Sequence, residues 1–459
     1  MTDQTRSADP APAEPLLSLS PARQLGSYAQ KQEGLMMQRI PLLAGRIGWS
    51  QWRTMAELAV RYTHSAPLHL TTRQDIELHN LPRASVSALY QELLQVGIST
   101  FGACGDTIRN ITVNPACEFD PQDFDLLPLA RLVKDYLQEW AAGGALPRKF
   151  KVSFSGCRDN HACPFISDLG FVCRADGFFQ AVGAGSLGSR PQTGIFLYEK
   201  LSPEQILPLC KAAIEMFAEL GDRQNRQKAR LRHIRQRLGD QNFKKQLEER
   251  FQIARQRPWP KVILSRGRSD CRRLYTLQIP AGDLAPHLAL ELAQAAQGQG
   301  AYLRINQSHG LELYGPRLFA LPKALLAFAD LPCVVACPGA AVCPRALVHT
   351  KEAALQIQRM QGINISGKKI ALSGCPNGCA QSAAADIGLI GRIKTIDGQK
   401  KECFDVYLGG ENGQTDKLAE YVQTVPAERL SRWFLERTET VNAKVIREIP
   451  ALVPGDPAG

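Results

Sequence analysis

The sequence predicts a mixed α+β (α/β) fold with a twofold internal repeat, and three observations predict it. Residues 68–79 (LHLTTRQDIELH) align without a gap with residues 303–314 (LRINQSHGLELY), and Leu43-Ala44-Gly45 upstream matches Pro280-Ala281-Gly282. Ser155-Gly156-Cys157 matches Ser373-Gly374-Cys375, and thirteen residues after each serine come DLGFV at Asp168 and DIGLI at Asp386. Strand-like and helical runs alternate, as at residues 149–155 and 203–220. Matches that recur in one order at similar offsets mark two halves of similar fold.

The elements follow in order. Residues 1–25 are an expected disordered tail, since the start is rich in Asp, Ala, Pro and Ser and lacks the basic and apolar regions of a secretion signal. A small unit of strands and a helix is expected over 26–85 and a larger one over 90–235. Residues 236–260, ending near Pro258 and Pro260, read as a linker. The second small unit is expected at 261–325, the second large unit at 330–440 and a tail at 441–459.

The chain is 44% hydrophobic and 22% charged, as in globular proteins. No apolar run approaches the roughly 18 residues of a membrane span, so the expected compartment is the cytoplasm and no membrane partner is expected. The net charge is +11. The basic residues are densest at 223–257, where Ala229, Leu231, Ile234 and Leu238 have helical spacing among few aromatics. That pattern reads as a solvated helix face, not a nucleic-acid site.

Thirteen cysteines in a reducing compartment point to metal ligation or catalysis. Cys337 and Cys343 stand in CPGAAVC, Cys375 and Cys379 in CPNGC. Four thiolates from two loops suit an iron–sulfur cluster, which takes one soft sulfur per iron. Structural zinc suits the second spacing but not the first. Gly, Pro and Asn between the cysteines let backbone amides turn toward sulfur. Cys157 and Cys163 stand five residues apart in the first half, with Cys104, Cys117 and Cys173 nearby. Cys157 reads as the repeat's echo of Cys375, and His161 as polar surface.

These cysteine spacings, with TTRQ at Thr71, GDTIRNI at Gly105 and LPRKFK at Leu146, resemble the sirohaem-containing sulfite and nitrite reductases. The resemblance runs from about Gln30 to about Glu436. It implies that each half is a ferredoxin-like unit followed by a larger reductase unit, with cofactors at the junction. It implies a [4Fe–4S] cluster on Cys337, Cys343, Cys375 and Cys379, with the Cys379 thiolate also bridging to sirohaem. By the same resemblance Arg39, Arg109, Lys149 and Lys151 would surround the substrate. Lysines at i and i+2 of a strand share a face, and the like charges call for an anion between them. Arg73, Gln74, Asn110, Arg148 and Asn377 are the candidate sirohaem neighbours, because its eight carboxylates demand basic and amide donors.

The expected function is six-electron reduction of sulfite to sulfide, chosen because Lys149 and Lys151 are both present. Nitrite to ammonium is the alternative, and a precorrin-3B synthase-like monooxygenase the further one. No flavin or nicotinamide motif is evident, so electrons would come from an acidic ferredoxin or flavoprotein, which the +11 charge would attract.

Overall fold

The computed structural model describes residues 21–101, 103–142, 146–156, 161–360, 365 and 367–436. Among them, four sheets carry the fold. The chain ends that the sequence reads as tails lie mostly outside the described residues; the short helix Pro21–Gln24 already belongs to the folded part.

The two small units are interlocked. Strands Ser27–Ala29, Leu35–Ile40, Ile76–Pro82 and Leu68–Leu70 form an antiparallel sheet completed by Asp283–Leu284 from the other half. Arg272–Gln278, Gly310–Gly315 and Tyr302–Ile305 form its counterpart, completed by Arg46–Ile47 from the first half. The small units expected at 26–85 and 261–325 are therefore one body with exchanged edge strands. Trp52 and Met55 share a core with Leu292 and Leu303, and the Trp52 indole donates to the Ala289 carbonyl at 2.9 Å.

The repeated Ala-Gly pairs explain the exchange. Ala44 and Gly45 (φ 57° and 67°) and Ala281 and Gly282 (φ 48° and 79°) are left-handed turns that throw the next two residues across to the partner sheet. A Cβ on Gly45 would sit 2.1 Å from the Ile305 carbonyl oxygen, so only glycine fits there.

Each large unit has three parallel strands followed by two antiparallel ones. The first runs Thr112–Val113, Val152–Ser155, Leu169–Cys173, Phe179–Gly183 and Ile195–Leu201. The second runs Val334–Ala336, Ile370–Ser373, Ile387–Ile396, Gln399–Leu408 and Glu420–Pro426. In each, the first two strands end at the loops that carry the candidate ligands.

The expected linker is not a free connector. Within 236–260, helix Asp240–Arg255 buries Phe243, Leu247 and Phe251, at i, i+4 and i+8, in the first large unit's core. The basic stretch before it is not simply a solvated face either. Arg230 and Arg232 are 8% and 4% exposed and point inward.

Candidate functional site

The second large unit supplies the cysteines. Strand Val334–Ala336 runs straight into Cys337, and Ile370–Ser373 into Gly374 and Cys375. The amide of Gly374 donates to the Cys337 sulfur at 3.1 Å, and the Thr350 hydroxyl holds the Cys337 carbonyl at 2.6 Å. Asn377 bonds Cys375 through both its backbone and its side chain. Cys379 is exposed, whereas Cys375 is 9% exposed.

The four thiols interact electrostatically. Burial first, then the Cys379 charge, pushes the Cys337 thiol up to about 12. Burial also raises Cys375, opposed by Asn377, with Cys379 and Cys343 adding. Among the described residues no three of His, Cys, Asp and Glu converge on a point that suits one metal ion. A four-iron cluster makes no such demand, because each sulfur meets its own iron. The donor set fits a cluster and not a zinc knot.

The first half echoes this loop with other chemistry. Asn114 takes the place of Cys337, its Oδ1 accepting from the Gly156 amide at 2.6 Å. His161 takes the place of Cys379: the next amide, Ala162, bonds Ser155 Oγ at 3.1 Å, as Ala380 bonds Ser373 Oγ at 3.1 Å. Cys163 is buried and stands where Gln381 stands, both with left-handed backbone. Cys157 lies outside the described residues.

The cations come from the first half. A parallel bridge pairs Ile108 with Phe150, and the Arg109 amide donates to the Phe150 carbonyl at 2.8 Å. This brings Arg109 beside Lys149 and Lys151, which flank the buried Phe150. The lysines sit in the extended lead-in to strand Val152–Ser155, not in the strand itself. Burial, then Arg230, pushes Lys149 down to about 7, with the Cys379 thiolate pulling the other way. Lys149 and Cys379 are thus near enough for the charge of one to act on the other. Burial, Arg73 and Lys149 push Lys151 well below its usual value.

Arg39 lies on strand Leu35–Ile40, opposite Glu77 on the neighbouring strand, and pairs with it at 2.9 Å. Burial is the largest single influence and opposes the Arg39 charge, but Glu77, Cys104, Tyr28 and Asp75 together outweigh it and the pKa rises. Arg39 and Arg109 both reach the Ala103 carbonyl, at 3.5 and 3.4 Å. Asn110 bonds the carbonyls of Leu42 and Arg73 at 2.7 and 2.9 Å, and its buried Oδ1 has no partner. Arg73 bonds the carbonyls of Asn110 and Val152, while its buried Nε has no partner. Burial lowers Arg73 to about 10. The unspent Arg73 Nε is a donor and fits a macrocycle carboxylate, whereas the Asn110 amide nitrogen is spent on two carbonyls and its free Oδ1 is an acceptor.

Two expected neighbours are otherwise engaged. Arg148 pairs with Asp106 at 2.9 Å, which Arg226 also binds. Gln74 is fully buried, and its amide spans the carbonyls of Ala44, Val113 and Ile305 at 3.3, 2.8 and 3.0 Å. It knots the two halves together and has no capacity left for a cofactor.

Three further residues belong to the neighbourhood. Arg230 pairs with Asp168 at 2.7 Å and depresses both Lys149 and Lys151. Its place inside a basic run hid it. Cys104 is buried against Tyr28, between Arg39 and Arg109, and burial pushes its thiol up. Thr72, inside TTRQ, donates to the Cys379 carbonyl at 2.9 Å.

The comparisons agree with this architecture. The family model "Nitrite and sulphite reductase 4Fe-4S domain" matches residues 104–254 and 329–443. "Nitrite/Sulfite reductase ferredoxin-like half domain" matches 28–96. The chain is 30% identical over 432 residues to the ferredoxin–nitrite reductase of Synechococcus elongatus, covering 85% of this chain and 83% of the relative. It is 26% identical over 471 residues to the sulfite reductase [NADPH] hemoprotein beta-component of Acidithiobacillus ferrooxidans, covering 88% and 81%. The solved structure of the Mycobacterium tuberculosis NirA protein shares the fold, with TM-score 0.78 at 20% identity, covering 95% and 92%. The matched domains and the relatives lead to one conclusion: the chain belongs to the nitrite and sulphite reductase family, oxidoreductases that use a [4Fe–4S] cluster and sirohaem.

Proposed function

We propose that this chain reduces nitrite to ammonium with six electrons from a separate ferredoxin-type donor. The observation that carries the oxyanion chemistry is the common site of Lys149, Arg109 and Cys379. The relatives favour nitrite over the sulfite expected from sequence, since ferredoxin–nitrite reductases match at 27–30% identity and the sulfite reductase at 26%. Sulfite to sulfide is the second reading, favoured by the retention of both Lys149 and Lys151.

When bound, sirohaem and cluster would supply a reducing iron. Cys337, Cys343, Cys375 and Cys379 would hold the cluster, and Arg73 with its unspent Nε would donate to a macrocycle carboxylate. The chain's own residues do the rest. Arg39 and Arg109, anchored on Glu77 and the Ala103 carbonyl, hold fixed positive charge for the anion. Lys149, poised at about 7, gives up and regains a proton near neutral pH. The net charge of +11 favours docking of an acidic donor.

Steady-state turnover of both anions with reduced ferredoxin tests the reading. The expected result is a kcat/KM for nitrite about tenfold or more above that for sulfite, a preference of roughly 1.4 kcal/mol. The reverse preference replaces nitrite with sulfite. Turnover of neither overturns both.

A further inference from the structure

A cavity of about 670 Å³ opens between the small units and helix Leu127–Ala142. Its size is that of a ligand pocket. Arg46, Arg131 and Lys134 line it, and among the described residues no carboxylate does. Arg131 and Lys134 are three apart on the helix, so they share a face and repel. Neither has an ion-pair partner among the described residues; burial lowers the Lys134 pKa most, Asp135 and Asp75 act against it and Arg131 adds to it. Two cations facing an open cavity that no carboxylate among the described residues lines suit an anion.

The cavity backs directly onto the site already described. Its wall includes Leu42, Phe101 and Thr107. The Leu42 carbonyl accepts from Asn110, and the Thr107 carbonyl from the Phe150 amide beside Lys149. Between Phe101 and Thr107 in the chain lies Ala103, whose carbonyl accepts from Arg39 and Arg109. The Lys134 charge is felt at Asp75, and Asp75 in turn by Arg39 and Arg73. The cations thus stand in series, one layer of chain apart. A low-dielectric cleft of one sign concentrates counter-ions.

We propose that this cavity is an antechamber that collects the oxyanion substrate from solvent and holds it before it passes to Arg39 and Arg109. This rests on the oxyanion-reductase reading given above. The anion would sit between Arg131 and Lys134, with Arg46 at the rim, and no bond would be made or broken there.

Two measurements on the holoenzyme test it. The double variant Arg131→Gln, Lys134→Gln should raise KM for nitrite about tenfold, leave kcat within about twofold and flatten the salt dependence of kcat/KM. Without electron donor, nitrite should slow acylation of Lys134, read by mass spectrometry, and Arg131→Gln should remove that protection. An unchanged KM in the double variant, or no protection of Lys134 by nitrite, overturns the antechamber. Protection without any effect on KM also overturns it, since the anion would then be held off the route. Labelling needs no turnover. An enzyme that turns over neither nitrite nor sulfite, yet shows the protection, therefore sinks the proposed activity and not the anion site.

Discussion

Thr72 donates its hydroxyl to the main-chain carbonyl of Cys379 at 2.9 Å. The threonine comes from the first half and the cysteine from the second, more than three hundred positions away. This bond sets the exposed thiol against the small units that also carry Arg39 and Arg73. Thr72→Val keeps the shape and removes the donor. The expected loss is about 1 kcal/mol of stability, read by denaturant unfolding, together with a shifted absorption spectrum of the bound cofactors. An unaltered spectrum and midpoint would mean the bond positions nothing.

Gln74 is the knot between halves. Its side chain serves three carbonyls and accepts the Val113 amide at 3.0 Å, all in a buried place. Gln74→Leu strands those groups without water. The expected cost is about 2–3 kcal/mol, seen as a lower unfolding midpoint. A variant as stable as the parent would place the joint's strength elsewhere.

Asp75 is 4% exposed, and its Oδ1 has no partner. Burial raises it from the usual 3.8 to about 6, although Arg39 and Arg73 pull downward. An acid with a raised folded pKa takes up a proton on folding between those values. Its contribution is therefore favourable near pH 4 and is lost as pH rises to about 6. Asp75→Asn removes the buried ionised form. The variant should gain on the order of 2 kcal/mol above pH 6 and little near pH 4. A gain independent of pH would mean that shape, not charge, is responsible.

Lys149→Met keeps the length of the side chain and removes its proton and charge. Turnover should fall by about 10²–10⁴-fold, while sirohaem and cluster absorption stay at parental levels. Full activity in this variant would remove Lys149 from the reaction. Lost cofactor absorption would make it a binding residue instead.

Local patterns settled much of this protein in advance. The twofold repeat, the α+β class and the four cysteines on two loops were legible because each is written in short contiguous motifs. CPGAAVC and CPNGC place sulfurs on loops whatever surrounds them. The Lys149 and Lys151 pair was readable for the same reason, since extended backbone puts i and i+2 on one side.

Other features were not legible. Arg230 lay unnoticed in a basic run because inward and outward arginines look alike until packing turns one toward Asp168. The stretch that reads as a linker became a core helix because Phe243, Leu247 and Phe251 found the first large unit's apolar surface.

The amino-acid sequence alone determined which chemistry the chain carries: soft sulfurs in the second half, fixed cations in the first, and turns that only Ala-Gly pairs tolerate. Tertiary structure alone decided that these meet. The exchanged strands Arg46–Ile47 and Asp283–Leu284 merge two small units into one body, and Thr72 then reaches Cys379 while Lys149 senses its charge. Pairing between distant strands depends on which edges are free and which faces bury apolar surface. No local run of residues encodes that.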